Sequence, residues 1–506
     1  MQRVPKIVRK AALVGVLLFL TLMASFAAGI IVKNQTPSAL AHPNNARAKY
    51  TLWVSLDGVL PSMITPQDAP FITSLARTGV HFTDATAPVP GDSITAWTAD
   101  LSGAFPTQTG LVYETIYDRH YNQVIELDET PILPPGFTLQ NAGNLVNTET
   151  IFQAAKAAGL RTEFDSKYPA YSIENGPARL GPSPSIDVLR TSTFANFPGT
   201  PQQYDDMYYS NIRSDILSGP NRPNLYVLYA VSPNSIEKQF GINAPQVAQV
   251  ISFEDNEIRE TVDTLKQAGI YDQTDIVVTS DHGNTAVNKA IPGSGPGSIE
   301  QYLIDHGIPV AQATTDQVAL IWLQNPAQTQ AAINLLSPAS VRAQFGIWYF
   351  LTQADLRRMH TAPPDRTPDF AIEPTMGENG TPSVVYTTPP LGKHVEHGGF
   401  NASDINVPLF ISGPGIRHGV TSDDHVFDMQ IAPTLAATMC LNLKTAVLPP
   451  LRQALTGPVD CQNNASASTQ SSAQLATLPF TVPLFALLLV TPWFIRRRAK
   501  SSYPQG

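Results

Sequence analysis

Short, mostly apolar runs that end abruptly in a polar cluster constrain this 506-residue chain more than any other feature. Tyr50 to Leu56 ends in Asp57-Gly58, Leu225 to Val231 in Pro233-Asn234, and Asp275 to Thr279 in Ser280-Asp281-His282. Similar runs occur at Val318 to Leu323 and Val407 to Ser412. Runs of this length bounded by turn signals fit strands buried on both faces. Helical spacing separates them, at Phe71 to Arg77 and over Pro245 to Ala268. Strands alternating with helices predict an α/β fold, a mostly parallel sheet flanked by helices on both faces. Ligands of such sheets bind beyond the carboxyl ends of the strands, where these polar clusters fall.

A hydrophobic content of 43% against 14% charged residues excludes a disordered chain. Two cysteines, Cys440 and Cys461, exclude a disulfide scaffold and a Cys-rich zinc site. One Cys440–Cys461 bridge and two free thiols both fit the sequence. The core domain reads as residues 49–461, with 292–390, richer in Pro, Gly and Gln, as a cap insertion.

The ends differ from the middle. Arg3, Lys6, Arg9 and Lys10 precede an uncharged apolar run from Ala11 to Val32, long enough to span a bilayer. Residues 1–33 read as an uncleaved anchor, with a cleaved signal as the alternative, and 34–48 as a linker. A low-complexity stalk at 462–474 leads to a second apolar run at 475–495 and a basic tail at 496–506. Basic residues outside both spans place the tails in the cytoplasm and the domain between them outside, at the cell membrane. Four of the 32 basic residues lie in residues 1–10 and four in 495–506, which leaves 24 against 41 acidic ones, a charge near −17 for the remainder. Such a surface repels nucleic acid, so an anionic substrate needs local positive charge, such as a metal.

Asp281-His282-Gly283 follows an apolar strand, so both side chains can face one divalent ion while Gly283 lets the backbone turn away. Alone this is a weak signal, equally read as a turn with a capping Asp. Asp57-Gly58 and His397-Gly398-Gly399 repeat the pattern, and carboxylate with imidazole suits zinc, then manganese. Pro90-Gly91-Asp92-Ser93 reads as a loop entering a helix whose first N–H groups favour a phosphoryl group held at Ser93. The simpler reading there is N-capping by Asp92 or Ser93.

In this order the segments resemble the alkaline phosphatase superfamily, most of all its type I phosphodiesterase and nucleotide pyrophosphatase branch, over residues 50 to 440. Val407-Pro408-Leu409, Gly413-Pro414-Gly415 and Asp428 to Leu435 complete the likeness. The resemblance implies that Asp57, Ser93, Asp281 and His282 hold one divalent metal and that Ser93 is the nucleophile, passing through a phosphoseryl intermediate. A sulfatase is disfavoured, because the Cys or Ser-x-Pro-x-Arg signature is missing.

The family's second metal normally takes an Asp and a His from Pro-Asp-x-x-x-His, plus the His of His-Gly. This chain has Asn234 and Lys238 at the first two positions and keeps only His397. An ammonium cannot ligate a cation, so one metal is expected, with Asn234 and His397 a remnant of the second site and Lys238 a catalytic positive charge. Ala96 stands where nucleotide-cleaving relatives often carry Asn, which leaves monoester chemistry open. The expected function is extracytoplasmic, metal-dependent hydrolysis of a small-molecule or lipid phosphoester. Two alternatives are a catalytically silent binding or scaffold protein and an envelope phosphoheadgroup transferase.

Overall fold

The computed structural model describes residues 47–127, 145–167, 185–191, 194–375, 384–387, 389, 391–458 and 461. Both apolar terminal runs, the stalk, the basic tail and nearly all of the 34–48 linker lie outside these residues. Among the described residues, no helix is long and apolar enough to cross a membrane.

The main sheet has nine strands. In chain order they are β1 (Tyr50–Leu56), β2 (Gly79–Thr86), β3 (Thr162–Ser166), β4 (Val188–Thr191), β5 (Leu225–Ala230), β6 (Thr274–Thr279), β7 (Asn406–Ser412), β8 (Val420–Ser422) and β9 (Val426–Phe427). The spatial order is β8-β2-β7-β6-β1-β5-β3-β4, with β9 also paired to β2. Central β1 runs parallel to both β5 and β6, and β3 is parallel to β5 and β4.

Why these runs are apolar throughout is visible in where alternate side chains go. Leu52, Val54, Leu56, Tyr226, Leu228, Ile276 and Val278 enter one core, beneath helices Pro70–Thr78, Pro201–Ile216 and Pro245–Gln267. Trp53, Val227, Tyr229 and Val277 enter the other, beneath Ser93–Ser102, Ile151–Ala157 and Ile431–Met439. A strand covered on both faces has no polar side to show.

The main sheet is mostly parallel, as expected, and the structure departs from the sequence reading in two respects. β7 is antiparallel to β6 and β2. The chain has already reached the carboxyl end of the sheet at Glu396-His397, so its next strand must run back. Val318 to Leu323 is not in the main sheet at all. Ala319–Leu323 joins Val310–Thr315, Phe370–Pro374 and Ile347–Thr352 in a separate four-stranded antiparallel sheet with its own core. Only residues 316–318 connect the first two of these strands, a length that permits a hairpin but not a parallel crossover. Cys440 and Cys461 are joined in a disulfide.

All ten residues of the Ser93–Ser102 helix are buried. Its anchor is Trp97, whose ring lies 3.4 Å from that of Tyr229 on β5 and meets Phe164 of β3 edge-on at 5.7 Å. Trp97→Ala is expected to lower stability by ~3–5 kcal/mol, the range for emptying a large aromatic site. Denaturant unfolding measures it, and a loss under about 1 kcal/mol would show that the helix is held elsewhere.

Candidate active site

Four neighbouring parallel strands end at one place. β6 delivers Asp281 and His282, β1 delivers Asp57, β5 leads into the Ser232–Phe240 helix carrying Asn234 and Lys238, and β3 ends at Lys167. Tight backbone turns release these side chains. Gly58 has φ +80°, and a Cβ there would lie 2.4 Å from Asn284 Nδ2. Gly283 is needed for another reason than a left-handed turn, because its φ is ordinary and a Cβ would sit 2.2 Å from the Ser403 carbonyl oxygen.

Asp92 is the N-cap of the nucleophile helix, its carboxylate accepting from Thr95 N and Thr95 Oγ1, both at 3.1 Å. The capping reading therefore holds for Asp92. Ser93, one position later, is spared that task, and its Oγ lies 3.1 Å from His282 Nε2. The loop bearing His397 is tied to the same turn by Gly398 N donating to Gly91 O and Gly91 N donating to Gly399 O.

Asp57, Asp281 and His282 are fully buried, and one ligand atom from each lies within 4.8 Å of the others. His282 Nδ1 faces the Gly283 carbonyl at 3.0 Å, an acceptor, so Nδ1 carries the proton. Burial drives the His282 pKa down to about 4, so the ring is neutral and Nε2 turns its lone pair toward the Ser93 hydroxyl. That lone pair is 3.4 Å from Asp57 Oδ1 and 3.5 Å from Asp281 Oδ2, and neither oxygen has a hydrogen-bond partner. Two carboxylates and a neutral imidazole converging in one buried place are a donor set that fits a divalent ion.

The electrostatics agree. Burial is the largest influence on the Asp57 carboxylate and raises its pKa, but Lys167, with Nζ 2.6 Å from Oδ2, acts together with His282 and Lys238 to hold it below its ordinary value. Burial, then the charge of Asp57, pushes Asp281 well above the usual carboxylate range.

The second half of the site is built differently. Lys238 Nζ lies 3.2 Å from His397 Nε2 and 3.9 Å from Glu396 Oε1. The His397 ring stacks on His282 at 3.8 Å between centroids, and burial, then the positive neighbours, keeps it neutral. Asn234 Oδ1 accepts from Asn284 Nδ2 at 3.1 Å. The His397 Nε2 and Asn234 Oδ1 lone pairs are thus both engaged within the protein.

Lys167, Glu237 and Asn284 belong to this cluster but carried no signal in the reading of the runs. Glu163 and Asp165 interrupt the apolar pattern of β3, and in the fold both are buried against Arg190. Its position at a strand end was the clue that could have found Lys167.

Fold and site together define a metal-dependent phosphoric ester hydrolase of the alkaline phosphatase superfamily. A family profile described as type I phosphodiesterase / nucleotide pyrophosphatase matches residues 51–377, and the chain belongs to that family. Among solved structures it is similar to murine ectonucleotide pyrophosphatase/phosphodiesterase 5, at 18% identity and a TM-score of 0.60 over 79% of this chain and 96% of that one. An inactive variant of the murine protein in complex with AMP matches at 17% identity and 0.60, with the same coverage. A mutant of the alkaline phosphatase PafA matches at 13% identity and 0.62, covering 81% of this chain and 99% of that one. No curated protein sequence matches the chain.

Adding one equivalent of divalent ion should raise the unfolding temperature of the wild-type protein. Asp281→Asn should weaken that binding by more than about tenfold, the loss seen even for outer partners of ligands. Calorimetric titration checks it, and equal affinity in the variant would place the ion elsewhere.

Proposed function

We propose that the chain hydrolyses small phosphoesters outside the cytoplasmic membrane through a phosphoseryl intermediate, with one divalent metal, zinc ahead of manganese. The observation that carries this is Ser93 Oγ, 3.1 Å from His282 Nε2 in a buried cluster of metal-type donors. An ion held by Asp57, Asp281, His282 and Ser93 would lower the pKa of the serine hydroxyl and neutralise phosphoryl charge. Ser93 Oγ then attacks phosphorus in line, the bond to the leaving oxygen breaks, and water hydrolyses the phosphoserine.

Lys238 stands on the leaving-group side and meets the charge developing there. Its charge also explains how one ion can suffice. Relative to the two-metal pattern, Asn at 234 removes one negative charge, Lys at 238 adds one positive charge, and a missing divalent ion removes two. The net charge of the site is unchanged. The AMP complex of the murine neighbour supports nucleotide-type esters as one substrate class, and Ala96 keeps monoesters in the test panel.

Ser93→Ala should abolish turnover of an aryl phosphate while most of the bound metal stays. Lys238→Ala should lower kcat by about 10²–10³ at one metal equivalent per chain. Elemental analysis with steady-state kinetics reads both. Two equivalents in the wild type, or full activity in Lys238→Ala, would overturn the one-metal assignment.

The extracytoplasmic placement is supported by the charge flanking both apolar terminal runs and by the Cys440–Cys461 bond, which suits an oxidising compartment. Protease added to intact cells should cut within 462–474 and spare Arg496 to Lys500. Cleavage of that basic tail would reverse the topology.

A further inference from the structure

Asn284 donates through Nδ2 to Glu237 Oε2 and to Asn234 Oδ1, each at 3.1 Å. The three side chains are 0%, 0% and 4% exposed respectively, so water cannot substitute for a lost contact. The Gly58 carbonyl, 3.5 Å from the same nitrogen, can only accept, which fixes the Asn284 amide with its NH2 toward Gly58, Glu237 and Asn234. Asn234 can meet that same NH2 only with its own oxygen, since two NH2 groups would repel. Asn284 therefore decides which end of Asn234 is used up. The Asn234 oxygen is committed, and among the hydrogen bonds of the described residues its side chain serves only as acceptor.

The surroundings supply more donors. Asn234 packs against the Asp57-Gly58 turn, where a Cβ on Gly58 would lie 3.1 Å from Asn234 Cβ. Asp57 is held by the Lys167 ammonium, and Lys238 lies four residues along the same helix, bonded to His397. Ammonium and amide N–H groups replace the anionic and imidazole ligands of the two-metal pattern.

We propose that Asn234 binds a non-bridging phosphoryl oxygen of the substrate through Nδ2, and that Asn284 is the positioning residue that turns it to do so. This rests on the phosphoester reading above. It makes Asn234 an anion donor that works beside Lys167 and Lys238, and not a weakened metal ligand.

The test is calorimetric titration of inorganic phosphate into the full chain loaded with one equivalent of divalent ion, with unfolding midpoints recorded for each variant. Asn234→Asp keeps the oxygen that Asn284 holds and replaces only the NH2, so the fold should be retained. It is expected to weaken phosphate binding by at least about tenfold, the scale of one hydrogen bond to a charged group. Asn284→Leu should weaken it similarly, and the double variant should be no weaker than Asn234→Asp alone, because Asn284 acts through Asn234. Additive losses would reduce Asn284 to a structural role and overturn the proposal. Unchanged affinity in Asn234→Asp, with phosphate bound by the wild type, would overturn this inference alone. A wild type that binds no phosphate would overturn the phosphoester reading with it.

Discussion

Three lone pairs pointed at one another in a dry site are the constraint on which the rest of the structure depends. Asp57 Oδ1, Asp281 Oδ2 and His282 Nε2 converge beside the Ser93 hydroxyl, and the His282 ring proton is engaged by the Gly283 carbonyl. In a low-dielectric interior this arrangement is costly until a cation fills it. The scaffold nonetheless holds it rigidly. Asp57 and Asp281-His282 sit on adjacent strand ends in register, with Leu56 opposite Ala230 and Ser55 opposite Thr279. The helix behind Ser93 is packed on all sides. Backbone hydrogen bonds, not flexible side chains, set the distances.

The cation site explains the asymmetry around it. Its immediate neighbours are basic, with Lys167 on the outer oxygen of Asp57 and Lys238 on His397. An acidic protein surface would otherwise repel a phosphate, and these buried or half-buried ammonium groups supply attraction only where the ester must dock. Glu396, wholly buried, accepts from Lys393 and lies near Lys238, so it holds the lysines without exposing a negative charge to substrate.

The site was partly legible in the chain. Asp57, Asp281 and His282 follow strand-like runs, and a strand end in a doubly covered sheet is where a ligand-type residue becomes available. Ser93 could be placed at a helix start, yet whether it or Asp92 served as the cap could not be read from two adjacent polar residues. Lys167, Glu237 and Asn284 were silent because each acts across the fold. Lys167 meets Asp57 from 110 positions away, and Asn284 meets Asn234 from 50. A contact of that span leaves no periodic trace. The Val318 to Leu323 run carries no mark of its sheet for a related reason. A buried strand looks the same in sequence whichever sheet it joins, and only its short connection to the preceding strand sends it into the antiparallel one.

What the sequence determined by itself was the class of fold, the residues able to carry phosphoester chemistry, and the loss of a carboxylate and an imidazole at 234 and 238. These follow from local pattern and residue identity. Tertiary structure alone decided which lone pairs stay free. Asn234 and His397 have atoms able to bind a metal, but Asn284 and Lys238 occupy those atoms, whereas Asp57, Asp281 and His282 keep theirs open. The reason is physical: a side chain's chemistry is fixed by its type, but its availability is fixed by the neighbour that reaches it first, and that neighbour is chosen by packing.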